Sequence, residues 1–245
     1  MKRGYFYISL AATLLLGLTA CGSNARPGEK AKDDYRQSLN DSIETYKAEI
    51  DSCENMIGEM QEKVNVWLRD FTTVANEREA APYMIMTSAQ NMYPLRKTGL
   101  IARINDSGQF ELISALTGAP FDALSVTSGE NTATTAVVPN DQALNYRTPE
   151  LTTVCFTGEK ADSVGMLISD NELNPLSVTY LNGGKPVKSV KLDTKEAKVV
   201  SYTYLFYVDH STLQRLQRRV PMLHEKINLL RLHLDKATLQ NSAKK

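Results

Sequence analysis

What this sequence lacks narrows the field before anything it contains. Neither sign of charge is in excess, because 28 Lys and Arg balance 28 Asp and Glu. That balance implies neither a nucleic acid nor an anionic membrane surface as a partner, and no nucleic acid is expected. Cysteine is scarce: Cys21, Cys53 and Cys155 are too few for a disulfide framework. Histidine is scarcer in effect, since His210, His224 and His233 do not fall four apart, the spacing of a helical metal pair. No metal and no cofactor is therefore expected. A Gly-x-Ser-x-Gly elbow, a phosphate-cradling glycine loop and a dinucleotide fingerprint are all missing. No histidine lies near Cys155 in sequence, and carboxylates such as Glu59 and Glu62 have the spacing of a solvated helix face. These absences predict a protein that is not an enzyme.

The one long apolar run lies at the N-terminus, from Tyr5 to Gly17, preceded by Lys2 and Arg3. It is too short to span a bilayer, which takes about 20 residues. It ends in Leu18-Thr19-Ala20-Cys21-Gly22. A basic start, an apolar centre and small residues before a cut are the parts of an export signal. With cysteine at the cut, the motif resembles the lipobox of bacterial lipoproteins, Leu18, Ala20 and Cys21 standing at the matching positions. The resemblance covers about the first 24 residues. It implies that residues 1–20 are removed and that Cys21 is acylated, which makes the lipid bilayer the first expected partner. Several acyl chains, at about 0.8 kcal/mol per buried CH₂, amount to near-permanent anchoring. Position 22 is not the aspartate that favours retention of enteric-type lipoproteins in the inner membrane. The expected location is therefore the cell envelope, at the outer membrane and facing the periplasm. Removing Lys2 and Arg3 leaves 26 basic and 28 acidic residues, a net of −2.

Residues 21–32 are polar, contain Pro27 and Gly28, and read as a flexible tether. From Asp33 the texture changes. Ile43, Tyr46, Ile50, Cys53, Ile57, Met60, Val64, Trp67, Phe71 and Val74 alternate spacings of three and four, the signature of a coiled-coil seam. The pattern predicts a first stalk helix over 33–80. It returns near the other end at Leu213, Leu216, Val220, Leu223, Ile227, Leu230, Leu234 and Ala237, predicting a second stalk helix over 209–240 with a tail at 241–245. Asp209 and Ser211 are candidate caps for its start. Pro221 is expected to kink or split it.

Residues 33–79 carry 12 acidic and 5 basic side chains, and residues 209–245 carry 3 and 8. Opposite net charge favours pairing of these helices with each other. An antiparallel register of Val74 with Leu213, Phe71 with Leu216, Val64 with Leu223 and Ile57 with Leu230 fills every layer and sets Asp70 opposite Arg219, though it also sets Lys63 against Lys226, and a one-heptad slip is the alternative.

Between the helices, residues 81–208 alternate short β-rich runs with turn signals. Runs 99–104 and 109–115 flank Asn105-Asp106-Ser107-Gly108, and runs 175–181 and 187–192 flank Asn182-Gly183-Gly184-Lys185; both are hairpin patterns. Runs 151–156 and 199–208 predict further strands, the latter with Tyr202, Tyr204 and Phe206 along one face. Residues 161–170 favour a helix, and 125–139 a strand with a loop. Cys53 on a helix seam and Cys155 on a strand read as two small buried thiols rather than a bridge.

The expected fold is thus α+β: an antiparallel two-helix coiled-coil stalk bracketing a β-rich head. The expected function is that of a membrane-tethered, non-enzymatic structural or protein-interaction module with an envelope protein as partner. The alternative is a lipoprotein whose head binds a lipid, glycan or peptide in a pocket.

Overall fold

The computed structural model describes residues 27–75, 81–139 and 145–242. Cys21 and the expected export signal lie outside these residues. The chain is α+β, a long helix at each end and two antiparallel sheets between them. In order come α1 (Pro27–Trp67), β1 (Phe71–Val74), β2 (Tyr83–Met86), a 3-10 turn (Thr87–Met92), β3 (Gly99–Asn105) and β4 (Phe110–Thr117). β5 (Ala123–Ser128), β6 (Asn131–Thr134), β7 (Asn145–Arg147), β8 (Leu151–Thr157) and α2 (Glu159–Asp170) follow, then β9 (Ser177–Asn182), β10 (Lys185–Lys191) and α3 (Thr194–Ser242). The larger sheet has the order β1-β2-β3-β4-β8-β7 and the smaller β10-β9-β5-β6. Both expected hairpins form, β3 with β4 and β9 with β10, and the 161–170 helix is α2.

The chain divides into two compact units. One comprises the outer lengths of the two long helices, up to Glu44 and from Leu229. In it Leu39 and Ile43 are buried, while Leu230 and Leu234 are half-buried. The other, Thr45–Asn228, holds both sheets and α2.

In that second unit, strand alternation sorts the larger sheet's residues onto two faces. Leu100, Ala102, Ile104, Phe110, Leu112, Leu116, Val154 and Phe156 lie on one face and are fully buried. They share a single apolar cluster with Leu124, Val126, Val178 and Tyr180 of the smaller sheet, Val164 and Ile168 of α2, and Val200 and Phe206 of α3. Phe110 is the hub. Its ring meets Tyr204 edge-on at 5.3 Å and Tyr207 at 5.9 Å. α2 comes closest at Gly165, where an added Cβ would lie 2.5 Å from Tyr204 and 3.0 Å from Phe110.

Several expectations need correction. Residues 27–32 of the supposed tether are helical. The first helix stops at Trp67, not near 80, in a turn tightened by Leu68, Arg69 and Asp70 bonding back to Val64, Val66 and Trp67. Phe71-Thr72-Thr73-Val74 then pairs with β2 as a strand, which β-branched residues favour once a partner strand exists. Phe71 therefore leaves the helical seam, yet its ring still packs 4.5 Å from Phe206 of α3.

The larger correction is at 199–208, which is helix and not strand. α3 begins at Thr194, so Asp209 and Ser211 are interior residues and cap nothing. Its start is a capping box that the sequence displays as Asp193-Thr194-Lys195-Glu196. Asp193 accepts the Lys195 N–H at 2.8 Å, and Glu196 accepts the Asp193 N–H in return. Leu192 and Ala197 on either side are buried. β-branched residues lose a few tenths of a kcal/mol each in a helix, whereas burying a Val or Phe side chain gains about 1.5–3 kcal/mol. Ala197, Val199, Val200 and Phe206 all bury, and packing prevails. Pro221 does not split the helix; it is exposed, and α3 runs through it.

Contacts between α1 and α3 within this unit run in opposite directions, but in another register than expected. The Trp67 indole N–H donates to Asp209 at 2.8 Å and its ring meets Tyr202 edge-on. Arg219 pairs with Glu49 rather than Asp70, and Lys226 lies over the Tyr46 ring. The departure is large, for the expected register would have set Trp67 opposite Val220. It follows from the helix ends: α1 stops earlier and α3 starts earlier than the sequence pattern implied.

Two glycine variants test the packing. Gly165→Ala should cost about 1–3 kcal/mol through overpacking against Tyr204 and Phe110. Gly58→Ala, on α1 where an added Cβ meets nothing within 4 Å, should gain up to about 1 kcal/mol. Urea midpoints of the two variants should move in opposite directions from that of the parent chain.

Candidate functional site

A groove of about 1230 Å³ opens in the sheet-bearing unit. Three stretches build it: the 3-10 turn and the loop leading to β3, the strands β9 and β10, and the first turns of α3. Its position follows from the capping box. Glu196 bonds the backbone N–H of Leu100 as well as that of Asp193, tying the start of α3 to the start of β3. A side chain at Gly99 would collide with that carboxylate, so glycine permits the approach.

The floor is apolar and closed. Leu100 and Tyr180 are fully buried, and Val178, Leu192 and Val199 nearly so, while Met92, Leu95 and Val190 are half-exposed to the groove. Tyr180 spends its polar end internally, its hydroxyl donating to the Ala115 carbonyl at 3.1 Å. Burial pushes that hydroxyl up to about 12, so it takes no part in acid–base chemistry near neutrality.

The rim is cationic. Arg96, Lys97, Lys188, Lys191, Lys195 and Lys198 line the groove and are all exposed. Only two carboxylates accompany them, Asp193 and Glu196. Both are engaged in the cap, and burial, then the neighbouring Asp193 charge, raises the Glu196 carboxyl above its ordinary value. A neutral chain has thus gathered six cations around one apolar trough, an arrangement suited to holding an anion beside an apolar group.

A second polar cluster lies on the other face of the larger sheet. Arg103 pairs with Glu111, Asn105 donates to the same carboxylate at 3.1 Å, and the Arg103 guanidinium lies 4.3 Å from the centre of the Tyr83 ring. Tyr93 covers them, its hydroxyl buried without a hydrogen-bond partner and raised well above its usual range by burial. Cys155 sits beside Glu111. Burial, reinforced by that carboxylate, pushes its thiol up to about 12. Such a thiol is a poor nucleophile. His210 does not join it, packing instead against Phe206 and the β3–β4 turn at Gly108. Cys53 and Cys155 are unbridged.

Of the predicted seam, Ile43, Ile50, Val64, Leu213, Leu216, Leu223 and Ile227 are buried, and Ile57, Trp67 and Leu230 half-buried. His224 and His233 are exposed on α3. Among the described residues no three His, Cys, Asp or Glu side chains gather as a metal site, and no helix is long and apolar enough to cross a membrane.

Sequence reasoning missed the groove. Its signal was present as Lys185, Lys188, Lys191, Lys195 and Lys198, spaced three or four apart across the β10–α3 junction. No family model, curated protein or solved structure matches the chain.

Two measurements check these environments. With its thiol pushed up to about 12, Cys155 is almost wholly neutral at pH 8, so iodoacetamide should label it far more slowly in the folded chain than in urea. Burial lowers the His210 pKa, so below about 6.5 the unfolded chain takes up its proton first. Stability from this group is complete above that value and falls as pH drops through it towards the folded pKa. The urea midpoint should therefore decline more between pH 7.5 and 5.5 in the parent chain than in His210→Phe.

Proposed function

We propose that this protein is a lipid-anchored, non-enzymatic module of the cell envelope. Acylated Cys21 holds it at the outer membrane, facing the periplasm. The two long helices zip as an antiparallel coiled coil, and the β-rich region between them makes contact with an envelope protein. The observation that carries the reading is the pair of apolar seams of opposite net charge bracketing the sheets, with Ile50, Val64, Leu216 and Leu223 of those seams buried. The poorly ionised Cys155 thiol and the internally bonded Tyr180 hydroxyl fit a surface that binds rather than reacts.

A second reading, ligand capture by the head, is favoured by one specific feature, the groove of about 1230 Å³. It exceeds the roughly 300–1,000 Å³ usual for small-ligand pockets.

Cross-linking mass spectrometry on native membranes tests the first reading. Lys47 should link to Lys226, since Lys226 lies over the neighbouring Tyr46 ring, and the head should link to a second envelope protein. Cys21→Ser should move the chain out of the detergent-extracted lipoprotein fraction. Unchanged partitioning of that variant would refute the anchor, and the absence of any intermolecular link would refute the partner.

A further inference from the structure

We infer that the groove is a binding site for an anionic amphiphile, a molecule carrying a phosphate group on an apolar chain. The inference rests on the second reading above, that the head captures a ligand, and names the ligand's chemistry.

Three observations carry it. The first is the segregation of charge. Six cationic side chains, Arg96, Lys97, Lys188, Lys191, Lys195 and Lys198, surround one groove in a chain whose formal charge is zero. They come from three separate stretches, so the fold, and no local run alone, assembles them.

The second is the state of the two carboxylates among them. Asp193 accepts the Lys195 N–H, and Glu196 accepts the N–H groups of Asp193 and Leu100. Both are committed to holding the start of α3, which leaves four cations of the rim in excess over carboxylates. Lysine binds phosphate as a mobile point charge and needs no fixed fork geometry, which suits a rim of long exposed side chains.

The third is the floor. A site for a small free anion has no use for a trough of this volume with Met92, Leu95 and Val190 half-exposed along it. An alkyl chain laid over those three side chains removes apolar surface from water on both partners. Phosphate at the rim and chain along the floor use both halves of the site together. The exposed edge strand β10 supplies both, Lys188 and Lys191 to the rim and Val190 to the floor.

The test uses the full acylated chain in nanodiscs of phosphatidylcholine, with empty discs as the reference. Octyl phosphate, octyl glucoside and inorganic phosphate are titrated below micelle concentrations by calorimetry. Octyl phosphate should bind at least tenfold more tightly than either of the others, and more weakly as salt rises from 50 to 200 mM. Lys188→Glu with Lys191→Glu, on exposed positions of β10, should weaken it at least tenfold. Lys195→Glu with Lys198→Glu, on α3, should do the same, so the inference remains testable if one pair fails to fold. Equal binding of inorganic phosphate would overturn the amphiphile. Equal binding of octyl glucoside would overturn the phosphate while leaving a ligand groove. Folded variants that bind as the parent does would overturn the location, and no binding by any probe would overturn both the inference and the reading beneath it.

Discussion

The structure turns on how α3 is started and what its first turns cover. Asp193 and Glu196 close a capping box, and Glu196 reaches further to the Leu100 N–H, so one carboxylate fixes the helix against the sheet. From that point Val200, Tyr204 and Phe206 descend over the face that carries Phe110. The same helix then passes Trp67 and Glu49 of α1. A free helix end here would expose the Phe110 face and open the groove in one event. Core, helix contact and groove are therefore not independent features. A cap is worth about 1 kcal/mol in itself, but this one places a helix that buries far more.

This arrangement explains which parts of the fold were legible. The two hairpins could be read because their turns, Asn105-Asp106-Ser107-Gly108 and Asn182-Gly183-Gly184-Lys185, specify chain reversal locally. The seams could be read because a 3-4 repeat depends only on helical geometry. Residues 199–208 could not be read from propensity, since Val, Tyr, Thr and Phe prefer strands where nothing else decides. Here the sheet decides, by offering Phe110 and its neighbours to a helix. Phe71 shows the converse: its place in the seam spacing was accidental, and pairing with Met86 claimed it for a strand. The expected register failed for the same reason: it was chosen to fill every seam layer starting from Val74, which the structure places in β1. The capping box was the available corrective, written at 193–196 but hidden by the apparent strand downstream.

Charge tells a similar story at another scale. A formal net of zero describes the chain and says nothing about any part of it. The sequence already separated an acidic N-terminal helix from a basic C-terminal one. The fold separates charge again, collecting Arg96 and Lys97 from one loop with four lysines from β10 and α3. No windowed reading joins positions 96 and 188, because only sheet topology brings them to one groove. Such contacts are individually weak in water, under about 1 kcal/mol for an exposed pair. The half-exposed Glu49–Arg219 pair is therefore a small contribution beside the burial of apolar residues such as Ile50, Val64 and Leu223.

The two polar clusters of the head differ in a way that bears on function. Around Arg103 and Glu111, charge meets charge under the cover of Tyr93, and the adjoining Cys155 thiol is driven towards its neutral form. That cluster is closed, with only the Tyr93 hydroxyl left without a hydrogen-bond partner in it. At the groove the reverse holds: the acids are spent on backbone N–H groups while the bases point outward around an apolar floor. Lys198 already lies over the Tyr202 ring, but the other exposed cations beside partly exposed Met92 and Val190 carry a standing cost, in mutual repulsion and in apolar surface left wet. A single ligand with a negative end and an apolar end relieves both terms together, whereas a simple anion or a simple hydrocarbon relieves one. That asymmetry is what favours the groove, over the Arg103–Glu111 cluster, as the proposed binding site.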